Sequence, residues 1–218
     1  MIARTDRRGV AELRLDRPER RNAVTTELLR TLLRELGAAV RDGAGAIVLT
    51  GSPPSFCAGA DLDELGPDAP EERRAERIRL VGEAVRRLGT LEVPTIAAVE
   101  GAAVGAGWGL ALGCDLCLAT ADARFSLPEL SKGFRIPEQL TRRLIAVVGP
   151  TRAAQLAYTG AVLSAGEAHA LGVVAQVLPD REALLATAHD LATSLAARPP
   201  QSVAAVKRPL AAFNSNEE

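Results

Sequence analysis

The chain has 218 residues, 47% of them hydrophobic and 24% charged, with a formal net charge of −1. That length and balance suit one large domain, able to bury a core without disulfide or metal staples. They exclude a disordered solvating segment and argue against a nucleic-acid partner, which requires a basic footprint. Three cysteines cannot all pair within the chain and point to a reducing, cytoplasmic setting. Met1 to Arg8 is polar and has no leader-like apolar run. The longest weakly polar stretch, 94–114, is broken by glycines and Glu100, a poor membrane span. The histidines and cysteines are too scattered for a closed zinc set.

In chain order, Val10 to Leu15 alternates apolar with polar or small residues and predicts an edge or half-buried strand. Asp16-Arg17-Pro18-Glu19 is turn chemistry. Thr25 or Thr26 caps a helix with Leu28, Leu29, Leu32, Leu33, Leu36 and Val40 on one stripe, and Gly43 stops it. Ala46 to Thr50 is a continuous apolar strand of the kind buried on both faces of a parallel sheet. Strand, helix and strand in this order make a βαβ start. Glu64 to Arg79, with Pro67 and Pro70, predicts a solvated helix or a flap, and Leu80 to Leu91 an amphipathic helix. Strands are expected over Pro94–Val99, Cys114–Ala119 and Val173–Leu178. Helices are expected over Pro150–Thr159, from Ser164 with Glu167 completing a capping box, and over Arg181–Arg198.

Two glycine-rich turns follow buried strands: Ser55 to Asp61, and Glu100 to Gly109. Glycines let a backbone approach a ligand closely, and a turn that opens a helix presents free N–H groups. Facing one another, two such turns make a pair of donors for a developing oxyanion; singly, each is equally readable as a tight loop. A dinucleotide fingerprint is the competing reading of Gly105-x-Gly107, but Leu110 stands where its third glycine belongs. Glu129 follows a strand and Pro128, among apolar neighbours that raise a carboxyl pKa toward general acid–base use. The plainer reading of Glu129 is a helix N-terminal acid. Cys114-x-x-Cys117 lies in an apolar strand rather than at a helix start, against a redox role. His169 and His189 sit in alanine-rich helices without a nucleophile. Arg73, Arg74 and Arg77 read as a solvated helix face, although they are able to meet a substrate phosphate.

Taken together, Leu15 to Ala23, Ala46 to Gly51, Phe56 to Leu62, Val93 to Gly101, Gly113-Cys114-Asp115 and Phe125 to Glu129 resemble the enoyl-CoA hydratase/isomerase (crotonase) family, in its order and spacing. The resemblance covers about Val10 to Leu178. It implies an α/β fold, a spiral of ββα units around a mainly parallel sheet, as one domain over 1–218 with 181–218 a shortened C-terminal helical segment. It implies an acyl-CoA thioester substrate, coenzyme A entering as part of it with no further cofactor, and a homotrimer or hexamer. No metal, nucleic acid or membrane is expected. The resemblance maps an oxyanion hole onto the backbone N–H groups of Ala60 and Ala106. It places Ala58, Gly59, Asp61, Leu62, Gly105, Trp108, Gly109, Pro128 and Glu138 around the substrate.

The family's hydratases use two glutamates. The second maps onto Glu129 and the first onto Gly109, which has no side chain. Hydration shares its work between two carboxylates, whereas moving a double bond needs one base to lift a proton and return it elsewhere. The sequence therefore favours an isomerase with Glu129 as the single acid/base. A hydratase using Glu138 or water as second acid, and a non-catalytic acyl-CoA-binding subunit, are the alternatives. Arg135 to Thr141 departs from the family's glycine-rich stretch and, with Trp108, is expected to reshape the acyl pocket; the plainer readings are an aromatic that fills the core at Trp108 and a surface helix residue at Glu138.

Overall fold

β1 (Ile2–Arg7) and β2 (Val10–Leu15) form an antiparallel hairpin in the computed structural model, which describes residues 1–65 and 70–215. Arg8 and Gly9 both have positive φ, 52° and 75°, the backbone of a two-residue hairpin turn that matches strand twist. β1 is polar because it is the sheet edge. It displaces β2 from the expected edge position, and β2 pairs in parallel with β3 (Ala46–Gly51) on its other side. α1 (Thr26–Arg41) connects them, and the Thr25 side chain accepts the Leu28 N–H as its cap.

The main sheet continues in parallel through β4 (Thr95–Val99), β6 (Leu116–Thr120) and β9 (Gln176–Leu178), in the order β1-β2-β3-β4-β6-β9. Its strands are apolar on both faces because both are covered. Ile47, Leu49, Ala97 and Val99 face one core, with α1 and α2 (Glu71–Thr90). Val48, Ile96 and Ala98 face the other, against Leu184, Ala188 and Ala192 of α7 (Arg181–Ala196). The helix expected from Leu80 extends back to Glu71 as one element; Pro67 lies outside the described residues.

A smaller sheet of β5 (Ala102–Val104), β7 (Arg124–Ser126) and β8 (Leu163–Ser164) stands beside the first. α3 (Ala106–Gly113) leaves β5, while α4 (Glu138–Val148) and α5 (Pro150–Thr159) follow β7. The Ser164–Glu167 capping box opens α6 (Ala165–Ala170). α4 was not among the expected helices, although Leu140, Leu144, Val147 and Val148 recur at helical spacing.

α8 (Pro200–Ser215) is pinned by one buried cation. Lys207 donates to the carbonyls of Leu88 (3.3 Å) and Val93 (3.2 Å) and pairs with Asp115, whose Oδ2 also accepts the Thr95 N–H at 2.8 Å. Removing one partner of a buried pair strands the other. Lys207→Met is therefore expected to cost about 3–5 kcal/mol, read as a lower urea midpoint, with the Asp115→Asn, Lys207→Met double variant recovering part of it.

Candidate active site

The two glycine turns leave the carboxyl ends of β3 and β4, where open α/β sheets place their ligands. They are laced together. The Phe56 N–H donates to the Glu100 carbonyl (2.7 Å), Cys57 N–H to Ala102 (2.9 Å), and Val104 N–H back to Cys57 (3.0 Å). Gly59 has φ +94°, and a Cβ there would stand 2.7 Å from the Val104 carbonyl oxygen and 3.9 Å from the Ala106 nitrogen. Only glycine lets the first turn lie this close to the second.

This lacing sets out two backbone donors. Ala60 bridges Val24 through its neighbours: Val24 N–H donates to the Gly59 carbonyl (2.7 Å) and Asp61 N–H to the Val24 carbonyl (3.0 Å). The N–H of Ala60 itself is thereby directed away from Val24. Ala106 is the first residue of α3, so its N–H has no acceptor within the helix.

Asn22 and Arg17 brace the first turn. Asn22 is fully buried at φ 58°. Its Nδ2 donates to the Ser52 and Ser55 carbonyls, both at 2.6 Å, and its Oδ1 accepts the Arg17 N–H at 2.9 Å. Arg17 Nη1 donates to the Ala23 carbonyl (2.7 Å) and pairs with Asp61 at 2.8 Å. Burial alone would raise the Asp61 pKa, but Arg17 and the Asp63 N–H outweigh it and hold the carboxyl below its usual range. Its stabilisation is thus present at neutral pH and lost as pH falls through that lowered value. Asn22→Ala strands buried groups at about 1–3 kcal/mol each. Chemical denaturation is expected to show a loss of about 3–4 kcal/mol.

Glu129 arrives from the smaller sheet. β5 and β7 run parallel with Val104 opposite Ser126, so Gly105-Ala106 and Pro128-Glu129 leave the same sheet end. Gly105 has φ +54°, and a Cβ on it would lie 2.4 Å from Glu129 Oε1. The Glu129 carbonyl accepts the N–H groups of Lys132 (3.0 Å) and Phe134 (2.9 Å), fixing the backbone. Glu129 Oε2 is buried and has no hydrogen-bond partner among the described residues. Burial raises the pKa of this carboxyl, with its own N–H and Lys132 opposing.

Two cavities meet here. The outer one, about 440 Å³, is lined by Ala58, Gly59, Ala60, Asp61, Leu62, Gly105, Pro128 and Glu129, with Arg20, Arg21 and Lys132 at its margin. The inner one, about 160 Å³, lies between Ala60, Ala106, Ile78, Val81 and Pro137. Ala60, Glu129 and Phe134 belong to both. A ligand with a polar anionic end outside and an apolar segment inside would carry its junction past the two backbone donors and the carboxylate.

Three expected site residues do not line these cavities. Trp108 is fully buried, packed on Phe125 with ring centroids 6.0 Å apart. It stands two residues after Ala106, about 200° around the helix, so it faces the core and not the ligand. Gly109 is buried beneath α2 and α4, and a Cβ there would lie 2.6 Å from Leu140 Cδ1 and 3.4 Å from Val85 Cγ2. Glu138 is exposed and pairs with Arg142 at 2.7 Å, one turn along α4. Conversely, Arg77, whose plainer reading is a solvated helix face, belongs to the site. It is 8% exposed and lines the inner cavity with Arg74, not a solvated face.

Thiol chemistry has no support. Burial pushes the thiols of Cys57 and Cys114 up to about 12 and raises that of Cys117 as well.

A family model described as enoyl-CoA hydratase/isomerase matches residues 5–218. The chain belongs to this family. As an enoyl-CoA hydratase/isomerase family member it is 38% identical over 199 residues to 2,3-dehydroadipyl-CoA hydratase of Escherichia coli K12, covering 91% of the chain and 76% of that relative. It is 39% identical over 215 residues to 1,2-epoxyphenylacetyl-CoA isomerase of the same organism, covering 96% and 80%. The solved enoyl-CoA hydratase/isomerase of Xanthobacter autotrophicus Py2 superposes with a TM-score of 0.89 at 33% identity, covering 96% of the chain and 78% of that structure. The fold is the crotonase fold of these enzymes, and acyl-CoA thioester chemistry is the family's province. Among the described residues, no helix is long and apolar enough to cross a membrane.

Proposed function

We propose that this protein is an enoyl-CoA isomerase that shifts a double bond through a thioester enolate, with Glu129 as its single acid/base. One observation carries the reading: a half-buried carboxylate, whose buried Oε2 has no partner among the described residues, lines both cavities with Ala60. The thioester carbonyl oxygen accepts the N–H groups of Ala60 and Ala106. Glu129 takes the proton from the carbon next to that carbonyl, and the C–H electron pair moves through the enolate onto the oxygen. The same carboxyl returns the proton two carbons further on, and the electrons flow back to leave the conjugated thioester. No electrons are gained or lost, so the reaction calls for no redox cofactor. Each backbone donor contributes about 3 kcal/mol at the transition state.

Gly109 supports isomerisation over hydration. Leu140 and Val85 take up the space around this position, so no second carboxylate is available there. The hydratase relative supports the other reading, in which Glu129 works with a second acid, Glu138 or water. Incubation with 3-enoyl- and 2-enoyl-CoA separates them. The expected result is faster formation of the conjugated thioester than of 3-hydroxyacyl-CoA; the reverse order makes it a hydratase. Assembly into trimers in the cytoplasm accords with the family, and sedimentation of the full chain is expected to give three times the chain mass or a multiple of it.

A further inference from the structure

The inner cavity has a cationic wall. Ile78, Val81, Phe134 and Pro137 make it apolar near Ala60 and Ala106, but Arg74, Arg77 and Arg135 also line it, against Glu71 and Glu129. Arg135 and Glu71 are exposed, whereas Arg77 is 8% exposed. Arg74 and Arg77 stand three residues apart on α2 and so share a face.

Arg77 is under-served where it sits. A guanidinium carries five N–H donors and cannot shed its charge. The hydrogen bond it makes among the described residues runs from Nη1 to the Asp61 carbonyl at 3.3 Å. The two carboxylates whose charges act on it are committed elsewhere: Asp61 to Arg17 at 2.8 Å, and Glu64 to the Thr26 N–H at 2.8 Å. Among the described residues, no carboxylate lies within ion-pair distance of Arg77. Burial lowers its pKa, the direction expected of a cation whose lost hydration is not made good. Uncompensated buried charge is costly unless a partner arrives. The cavity's 160 Å³ has room for about five groups at ~30 Å³ each, a short acyl segment.

We propose that the acyl group bound in the inner cavity ends in an anion, a carboxylate, and that Arg77 is its buried partner. This rests on the acyl-CoA reading above. Charge-assisted hydrogen bonding to a carboxylate then supplies what the guanidinium lacks and gives selectivity against methyl-ended chains. Arg135 and Arg74 add positive potential at the approach.

The test uses the full chain and saturated CoA thioesters of matched short lengths, one series ending in methyl and the other in carboxylate, titrated calorimetrically. The expected result is about tenfold or tighter binding of a carboxylate-ended member over its methyl-ended match. Arg77→Gln is expected to erase that ratio and Arg77→Lys to retain part of it. Should Arg77→Gln fail to fold, Arg135→Gln at the exposed mouth is expected to shrink the ratio by a smaller, salt-dependent factor. Equal or tighter binding of the methyl-ended series, or an unchanged ratio in Arg77→Gln, overturns the assignment and leaves the acyl-CoA reading standing. Failure of both series to bind overturns both.

Discussion

Glu129→Gln is expected to reduce turnover of 3-enoyl-CoA by about 10²–10⁴-fold while leaving thioester binding within a small factor. The amide keeps the shape of the side chain and its anchored backbone but accepts no proton. A drop confined to kcat separates a proton-transfer role from a packing role, because a packing defect would raise KM and lower the melting temperature together. Equal rates in both proteins would falsify the assignment. The pH profile adds an independent reading. Burial raises the Glu129 pKa, and the base is active when deprotonated. The acid limb of the wild-type profile is therefore expected above the ordinary carboxylate range, and it disappears in the variant. Stability runs the other way. A carboxyl whose folded pKa is raised costs stability at pH above that value, and the cost fades as pH falls toward the unfolded value. Glu129→Gln is accordingly expected to melt no lower than wild type at pH 7, with any gain narrowing as pH falls through the Glu129 titration. Loss of activity with a gain in stability is the signature of a group kept for chemistry.

The parts of this design that were legible in the sequence are those with local signatures. The apolar run of β3, the Thr25 cap, the Ser164–Glu167 box and the two glycine turns each state their structure within a few residues. Glu129 was legible because it follows a short strand and a proline among apolar neighbours. Arg77 was not, because α2 has so many charges in its first half that its periodicity reads as solvated. Only the tertiary fold leans that half over the Ala60 turn and buries one arginine of the series. Trp108 follows the plainer of its two readings, a core aromatic, rather than the ligand-facing one. Its place beside Ala106 in sequence suggested the pocket, but helical geometry turns it into the core. Gly109 sits between these cases: the missing carboxylate was plain from the sequence, while Leu140, thirty-one residues later, is what occupies its surroundings. That contact depends on α4, a helix that was not among those expected.

Gly59→Ala is expected to lower kcat/KM by about 10²–10³-fold, the usual cost of losing one oxyanion donor. The argument is steric and needs no change in any titrating group. A methyl on Gly59 would lie 2.7 Å from the Val104 carbonyl oxygen, at φ +94°. Neither atom is the end of a flexible side chain. Val104 is held by its N–H bond to the Cys57 carbonyl at 3.0 Å and by its pairing with Ser126. The alanine must therefore push the first turn outward, carrying Ala60 away from Ala106 and spoiling convergence on one oxygen. The sheet registers remain, so the loss of folding stability should be about 1–3 kcal/mol, and secondary structure by circular dichroism should be retained. Gly43→Ala is the matched control. Gly43, after α1 and away from both cavities, also has positive φ, +91°, but its Cβ would meet nothing within 4 Å, so it shares the backbone strain without the collision. Turnover close to wild type in Gly43→Ala, beside a collapse in Gly59→Ala, assigns the effect to the spacing of the two turns. Similar losses in both would instead assign it to left-handed strain alone, and the paired-donor geometry would no longer explain the rate.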